Sequence, residues 1–251
     1  MILKAQEKLI ASMNDEEKNM LYEQNVEMQE FWEKSHSQQN YFISQYGAEI
    51  LYDLNIKSLI KPDLKVLEIG VGSGHLVKYL DKRGCKIDAH DIAKNALDSI
   101  AAFCGNTYTP EEIPTIPVNH YDLIVSHLVA QHMNDADLAK QIKWILEVLN
   151  KEGIFALQFL NFVDQPVNTA GLADDKSTQK GGHTSRTLSE LLAIVESVGG
   201  FITYANRYVV HEEFSSSWYA VHIVREDYQG KVVAPSLPSW KKLLKKVLGK
   251  K

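Results

Sequence analysis

The chain has 251 residues, 45% of them hydrophobic and 24% charged, enough apolar material for one sizeable core and not the composition of a disordered chain. A formal net charge of −5 argues against a nucleic-acid binder, and no apolar run approaches the roughly 20 residues of a membrane-spanning helix. Two cysteines, Cys85 and Cys104, lie far apart without a second Cys/His pair at zinc spacing, and read as reduced thiols of a cytoplasmic protein.

The first segment breaks its apolar residues with charges and does not read as a signal peptide. From Gln6 to about Leu54 the chain is polar and free of proline, and predicts two or three helices with Tyr22, Phe31, Trp32, Tyr41, Phe42 and Tyr46 on their buried faces. After Lys61-Pro62 the pattern changes. Leu64–Ile69 predicts a buried strand running into glycines, and His75–Lys82 a helix. Lys86–His90 predicts a second strand and Ala93–Phe103 a second helix. Asn106–Val118 is broken by prolines and shows no clean strand, while Tyr121–Ser126 is a clear one. Asp135–Leu149 carries Leu138, Ile142, Ile145, Leu146 and Leu149 on one helical face, with Gly153 as its expected stop. Ile154–Leu160 is another strand. The polar stretch Asn161–Ser185 has the length of a lid or binding loop. A helix over Thr187–Val198 and an antiparallel pair, Phe201–Val210 with Trp218–Val224, complete the order. Alternating strands and helices predict an α/β fold with a mostly parallel sheet covered on both faces. The expected organisation is a helical cap over residues 1–55, a main domain over 56–230, and a linker with a tail over 231–251.

The run Val66-Leu-Glu-Ile-Gly-Val-Gly-Ser-Gly-His-Leu76 is the most informative. Gly70, Gly72 and Gly74 allow a tight turn and the close approach of a ligand to the backbone, and the following helix start offers free N–H groups. A dinucleotide fingerprint would need glycine where His75 stands. Asp91 follows Gly70 by 21 residues at the end of the second strand, where a carboxylate can accept from both hydroxyls of a ribose. Asp88, inside that strand, reads as solvated or structural.

Together Glu68, the three glycines, Asp91 and the strand Tyr121-Asp-Leu-Ile-Val-Ser126 resemble the class I S-adenosylmethionine-dependent methyltransferases over roughly Asp63–Leu160. The resemblance implies a Rossmann-like seven-stranded sheet with an N-terminal helical cap, S-adenosylmethionine as cofactor, and a small-molecule acceptor methylated on oxygen or nitrogen. It implies that Glu68 organises the site of the cofactor's amino-acid end, that Ile92 flanks the adenine, and that Ser126 and Tyr41 are cofactor contacts. Glu111 or Glu112 is the candidate acid at the adenine amino group, with Ile113 facing the ring; a solvated loop explains both glutamates equally well.

The segment Ser126-His-Leu-Val-Ala-Gln-His-Met133 is similar to the post-strand segment of quinone-biosynthesis methyltransferases. Where some relatives carry two metal-binding glutamates, this chain has Leu128 and Gln131, so no metal is expected. His132 is the candidate general base; packing against the next helix is its competing role. His183 and Arg186, with Lys176 and Lys180, would suit an anionic acceptor, or form a solvated basic loop.

Residues Ser239–Lys251 hold six of the 27 basic residues and no acid. Trp240, Leu243, Leu244, Val247 and Leu248 form one helical stripe with lysines on the other face. That pattern serves a reversible contact with an anionic membrane surface, docking on a partner or the chain's own body, or a frayed end. The competing function is a catalytically silent methyltransferase-like binding protein. A nucleic-acid methyltransferase is disfavoured by the acidic body and by the lack of an Asn-Pro-Pro-Tyr-type motif for a flipped base.

Overall fold

A computed structural model describes residues 29–34, 47–162, 184–211 and 216–231. Tyr41, His183, the two lysines of the Asn161–Ser185 stretch and the Trp240–Lys251 tail lie outside these residues.

Seven strands form one sheet: β1 (Lys65–Ile69), β2 (Lys86–His90), β3 (Asn106–Tyr108), β4 (Tyr121–Ser126), β5 (Leu149–Phe162), β6 (Gly200–His211) and β7 (Ser216–Arg225). Their spatial order is β3-β2-β1-β4-β5-β7-β6. Neighbours from β3 to β5 run parallel, and β7 runs antiparallel to both β5 and β6. Among the described residues the helices are α1 (Gly47–Asp53), α2 (His75–Asp81), α3 (Lys94–Ile100), α4 (Asp135–Val148) and α5 (Leu188–Ser197). A further helical turn covers residues 29–34.

The near-continuous apolar strands follow from burial on both faces. Alternate residues go to opposite sides. Val66, Ile87, Ala89, Leu123 and Val125 join Ile50, Leu51 and Leu54 of the α1 region, Leu76 and Leu80 of α2, and Leu97 of α3. Leu67, Ile69, Ile124, Phe155 and Leu157 join Leu138, Ile142 and Ile145 of α4 and Leu191 and Val195 of α5. Thus α1, which lies within residues 1–55, packs into the same core as β1. His222 of β7 secures that junction: its buried ring bonds the Leu54 carbonyl at 2.8 Å.

Two local expectations are corrected. A short strand does form at Asn106–Tyr108, because Asp88 templates it. The buried Asp88 carboxylate accepts from the Asn106 N–H at 2.8 Å, from its side-chain amide at 3.1 Å and from the Tyr121 hydroxyl at 2.7 Å. Asp88 is therefore structural and not solvated. Gly153 does not stop α4. The helix ends at Val148, the chain turns at once into β5, and Gly153 lies within that strand. A Cβ there would meet the Tyr121 carbonyl at 2.7 Å, so close strand packing requires the glycine.

Candidate active site

The carboxyl ends of β1, β2 and β4 meet at one edge of the sheet, where open α/β folds bind ligands. β1 delivers the glycine loop. Gly70, Gly72 and Gly74 have φ values of 74°, 49° and 70°, a region that glycine enters without penalty. Their surroundings differ. A Cβ on Gly70 would lie 2.2 Å from Val129 Cγ2, and one on Gly74 2.2 Å from Ile100 Cγ2, so both are needed for packing. A Cβ on Gly72 would meet nothing within 4 Å. Gly72 is the place where the backbone faces open space and a ligand can reach it.

Two acids stand beside that opening. Glu68, near the end of β1, is 5% exposed, and its Oε2 has no hydrogen-bond partner. Burial holds its carboxyl well above the ordinary range, the Asp91 charge pushes the same way, and a backbone N–H at Val77 opposes them. An underpartnered carboxylate beside a second one is a place for a cation. Asp91, directly after β2, uses Oδ1 to accept the Ala93 N–H at 2.8 Å, while Oδ2 makes a long 3.4 Å contact with the Gly72 N–H. The second oxygen keeps acceptor capacity on the open side. Ile92 follows, half-buried. Of the acids after β3, Glu112 is consumed as a capping box with Thr109, accepting its N–H at 2.8 Å. Ile113 packs, partly buried, against the core cluster that includes Ile69 and Tyr108.

The segment after β4 forms the other wall. Ser126 Oγ, His127 Nε2 and Gln131 Oε1 are buried without hydrogen-bond partners. With Glu68, they make four of the seven such atoms among the described residues, gathered at this edge of the sheet. Burial lowers the His127 pKa to about 4, so the ring is neutral near pH 7. Leu128 has φ 61°. His132 ends a 3-10 turn over Ala130–His132. Its ring meets Trp32 edge-on with centroids 4.9 Å apart, and its Nε2 lies 3.3 Å from the Gln131 amide nitrogen. The turn at 29–34 also reaches α3, where Asn95 donates to the Glu33 carbonyl at 2.7 Å.

Arg186 requires a correction. The guanidinium expected to meet an anionic acceptor is 2% exposed and turned into the protein. Nε donates to Asp135 at 2.8 Å, Nη1 to the Ala130 carbonyl at 2.8 Å and Nη2 to the Met133 carbonyl at 2.5 Å. Arg186 clamps the post-β4 turn to the start of α4, a planar fork used as a bracket. Its own backbone is held by Leu160 and Asn161, and the Thr184 N–H by Gln131. Gln158 went unnoticed in the sequence, although it is the one polar residue within the apolar run Ile154–Leu160. It is 2% exposed and binds Leu128 and Tyr208.

A sequence profile for a methyltransferase domain matches residues 67–157, from β1 through β5. No curated protein sequence matches the chain. Among solved structures, the Burkholderia thailandensis 1,6-didemethyltoxoflavin-N1-methyltransferase with bound S-adenosylhomocysteine is similar at a TM-score of 0.63 and 14% identity, over 82% of this chain and 90% of that one. The magnesium protoporphyrin IX methyltransferase of Synechocystis PCC 6803 is similar at 0.56 and 15%, over 80% and 99%. The Haemonchus contortus phosphoethanolamine N-methyltransferase 2 is similar at 0.56 and 14%, over 72% and 53%. At such identities these likenesses establish the Rossmann-like fold alone. The profile match spans Gly70–Gly74, Asp91 and the post-β4 turn, so residues 67–157 carry a methyltransferase domain, and that domain on this fold supports a class I S-adenosylmethionine-dependent methyltransferase of small molecules.

Proposed function

We propose that the cleft between the glycine loop and the post-β4 turn holds S-adenosylmethionine with Glu68 and Gly70–Gly74 around its amino-acid end. On this reading Asp91 accepts the ribose hydroxyls, Ile92 lies against the adenine, and Ser126 closes the cleft from the end of β4. The observation that carries it is the pair Glu68–Asp91 beside Gly72. Two buried carboxylates there favour a cationic ligand, and the open space at Gly72 lets it approach the backbone. Tyr41 and His183 are proposed as cofactor and substrate contacts from the sequence alone.

The sulfonium of the bound cofactor supplies an activated methyl group, which leaves the protein mainly with positioning. An alcohol, phenol or amine acceptor must also lose a proton. His132 is the proposed general base, because it sits on the turn facing the cleft with its ring oriented by Trp32 and Gln131. His127, neutral and buried, serves as a hydrogen-bond acceptor at the end of β4. An anionic acceptor, such as a carboxylate or phosphate of a glycan- or lipid-pathway intermediate, would now rely on His183, Lys176 and Lys180, since Arg186 is occupied. The basic amphipathic tail, Trp240–Lys251, is proposed to bring the enzyme to an anionic membrane surface. No helix among the described residues is long and apolar enough to cross a membrane.

Calorimetric titration with S-adenosylhomocysteine tests the cofactor site. The intact protein should bind at micromolar concentration, and Asp91→Ala should weaken binding on the order of 100-fold, the loss of two hydrogen bonds to a charged group. No binding to the intact protein would remove the site as drawn. Product release from S-adenosylmethionine across a panel of small acids, phenols and amines would then identify the acceptor, and His132→Ala should slow turnover about 10²-fold or more.

A further inference from the structure

Four non-glycine residues among those described have a left-handed backbone: Asn55, Asp63, Asn119 and Leu128. Three are the short polar types that tolerate it. Leu128 is not, and it lies in the post-β4 turn, so something must hold it there. The holder is on β5. Gln158 Oε1 accepts the Leu128 N–H at 2.7 Å, and its amide nitrogen donates to the Tyr208 hydroxyl of β6. Gln158 is 2% exposed, and its two polar ends are thus matched across three segments of chain. The next residue, Val129, occupies the space that a side chain at Gly70 would need. The conformation of Leu128 therefore decides how the turn seats against the glycine loop, and where the chain departs toward His132.

We propose that Gln158 is a positioning residue for methyl transfer. Its side-chain amide locks Leu128 in the left-handed conformation, which fixes Val129 against Gly70 and so sets the width of the cofactor cleft. This rests on the reading of the cleft given above. Gln158→Leu keeps the size of the side chain and removes the lock. Its affinity for S-adenosylhomocysteine should fall about tenfold, roughly one hydrogen bond's worth. In the ligand-free variant, amide exchange over residues 126–133 should accelerate. The decisive variant is Gln158→Leu with Leu128→Gly. Glycine adopts the left-handed conformation unaided, so affinity should return most of the way to that of the intact protein. Wild-type affinity and exchange in Gln158→Leu would overturn the proposal. So would a loss of affinity in a folded protein that Leu128→Gly does not restore, because Gln158 would then act only through core packing. If the intact protein itself fails to bind S-adenosylhomocysteine, the reading of the cleft falls, and the exchange measurement still decides whether Gln158 locks the turn.

Discussion

The two walls of the cleft are built by different means. On the glycine-loop side, conformation does most of the work over a short stretch of chain. Three glycines at positive φ connect β1 to α2, and Asp91, the next acid along the sheet edge, ties back to Gly72. On the post-β4 side the backbone has no such local support. Leu128 sits in an unfavourable region, a 3-10 turn replaces a full helical start, and the segment is held by side chains from far along the chain: Trp32, Gln158 and Arg186. The first wall is a local structure, the one proposed to hold the cofactor. The second is an assembly of segments distant in the chain.

Removing one bracket should therefore hurt the second wall most. Arg186→Met strips partners from the Ala130 and Met133 carbonyls and should cost roughly 2–5 kcal/mol of unfolding free energy, about 1–3 for each carbonyl left unpaired, since Asp135 itself is exposed and returns to solvent. Urea denaturation of the purified variant measures this. Arg186→Lys should recover little, since one ammonium cannot reproduce the three-way fork. A variant with intact stability would return Arg186 to the role of a free cation for substrate.

Gly70→Ala strikes where the walls touch. The added methyl meets Val129 at 2.2 Å and the backbone stays at φ 74°. Overpacking and left-handed strain together should cost roughly 2–5 kcal/mol. Cofactor binding should fall with it. Val129→Ala in the same chain should relieve the steric part, leaving the conformational part, and thermal denaturation of the double variant would separate the two.

This difference also decides what could be read from the sequence. Glu68, the glycines and Asp91 are close in sequence, and their spacing is a direct image of a strand, a turn and a helix. The central strands were legible for the same reason, as short apolar runs, whereas β3 was not, because the Asp88 carboxylate that templates it lies in another strand. The bracket at Arg186 was not, because a lone arginine after a polar loop has the same appearance whether it points into solvent or into the protein. Its partners are carbonyls and Asp135, about fifty residues away. Gln158 left a trace as a polar residue in an apolar run, but nothing nearby named its acceptor. Gly153 misled for the opposite reason: a glycine after a helix looks like a cap, and only the Tyr121 carbonyl of the neighbouring strand shows that it is needed for close packing.

The walls should also differ in their response to pH. His127 belongs to the second wall, and burial holds its pKa at about 4, below the 6.5 of an unperturbed ring. Between those values the unfolded chain binds the extra proton. Stability should rise with pH through that window, by no more than about 3 kcal/mol. Glu68, on the first wall, acts in the opposite sense. Its carboxyl is held above its ordinary value, so the folded state retains the proton longer and its contribution falls as pH rises. The profile of the intact protein sums these with His90 and His222, whose pKa values burial also lowers. His127→Asn should make the rise shallower and Glu68→Gln should remove a falling contribution, as read from melting temperature against pH. A His127→Asn profile identical to that of the intact protein would mean that the ring is not buried as a neutral group.

The smallest effect on stability, and the sharpest separation of the walls, should come at Gly72. A methyl there meets no protein atom, so Gly72→Ala should cost only the conformational term, about 1–2 kcal/mol for a φ of 49°. The methyl nonetheless stands in the space assigned to the cofactor. If Gly72 is kept free for a ligand, the variant should stay folded while its affinity for S-adenosylhomocysteine falls well beyond what the stability loss explains. If affinity and stability fall only in proportion, the openness at Gly72 has no ligand behind it, and the first wall is a turn like any other. Gly70→Ala cannot distinguish these cases, because there the fold and the cleft fail together. At Gly72 they come apart, since the space belongs to the cleft and not to the core.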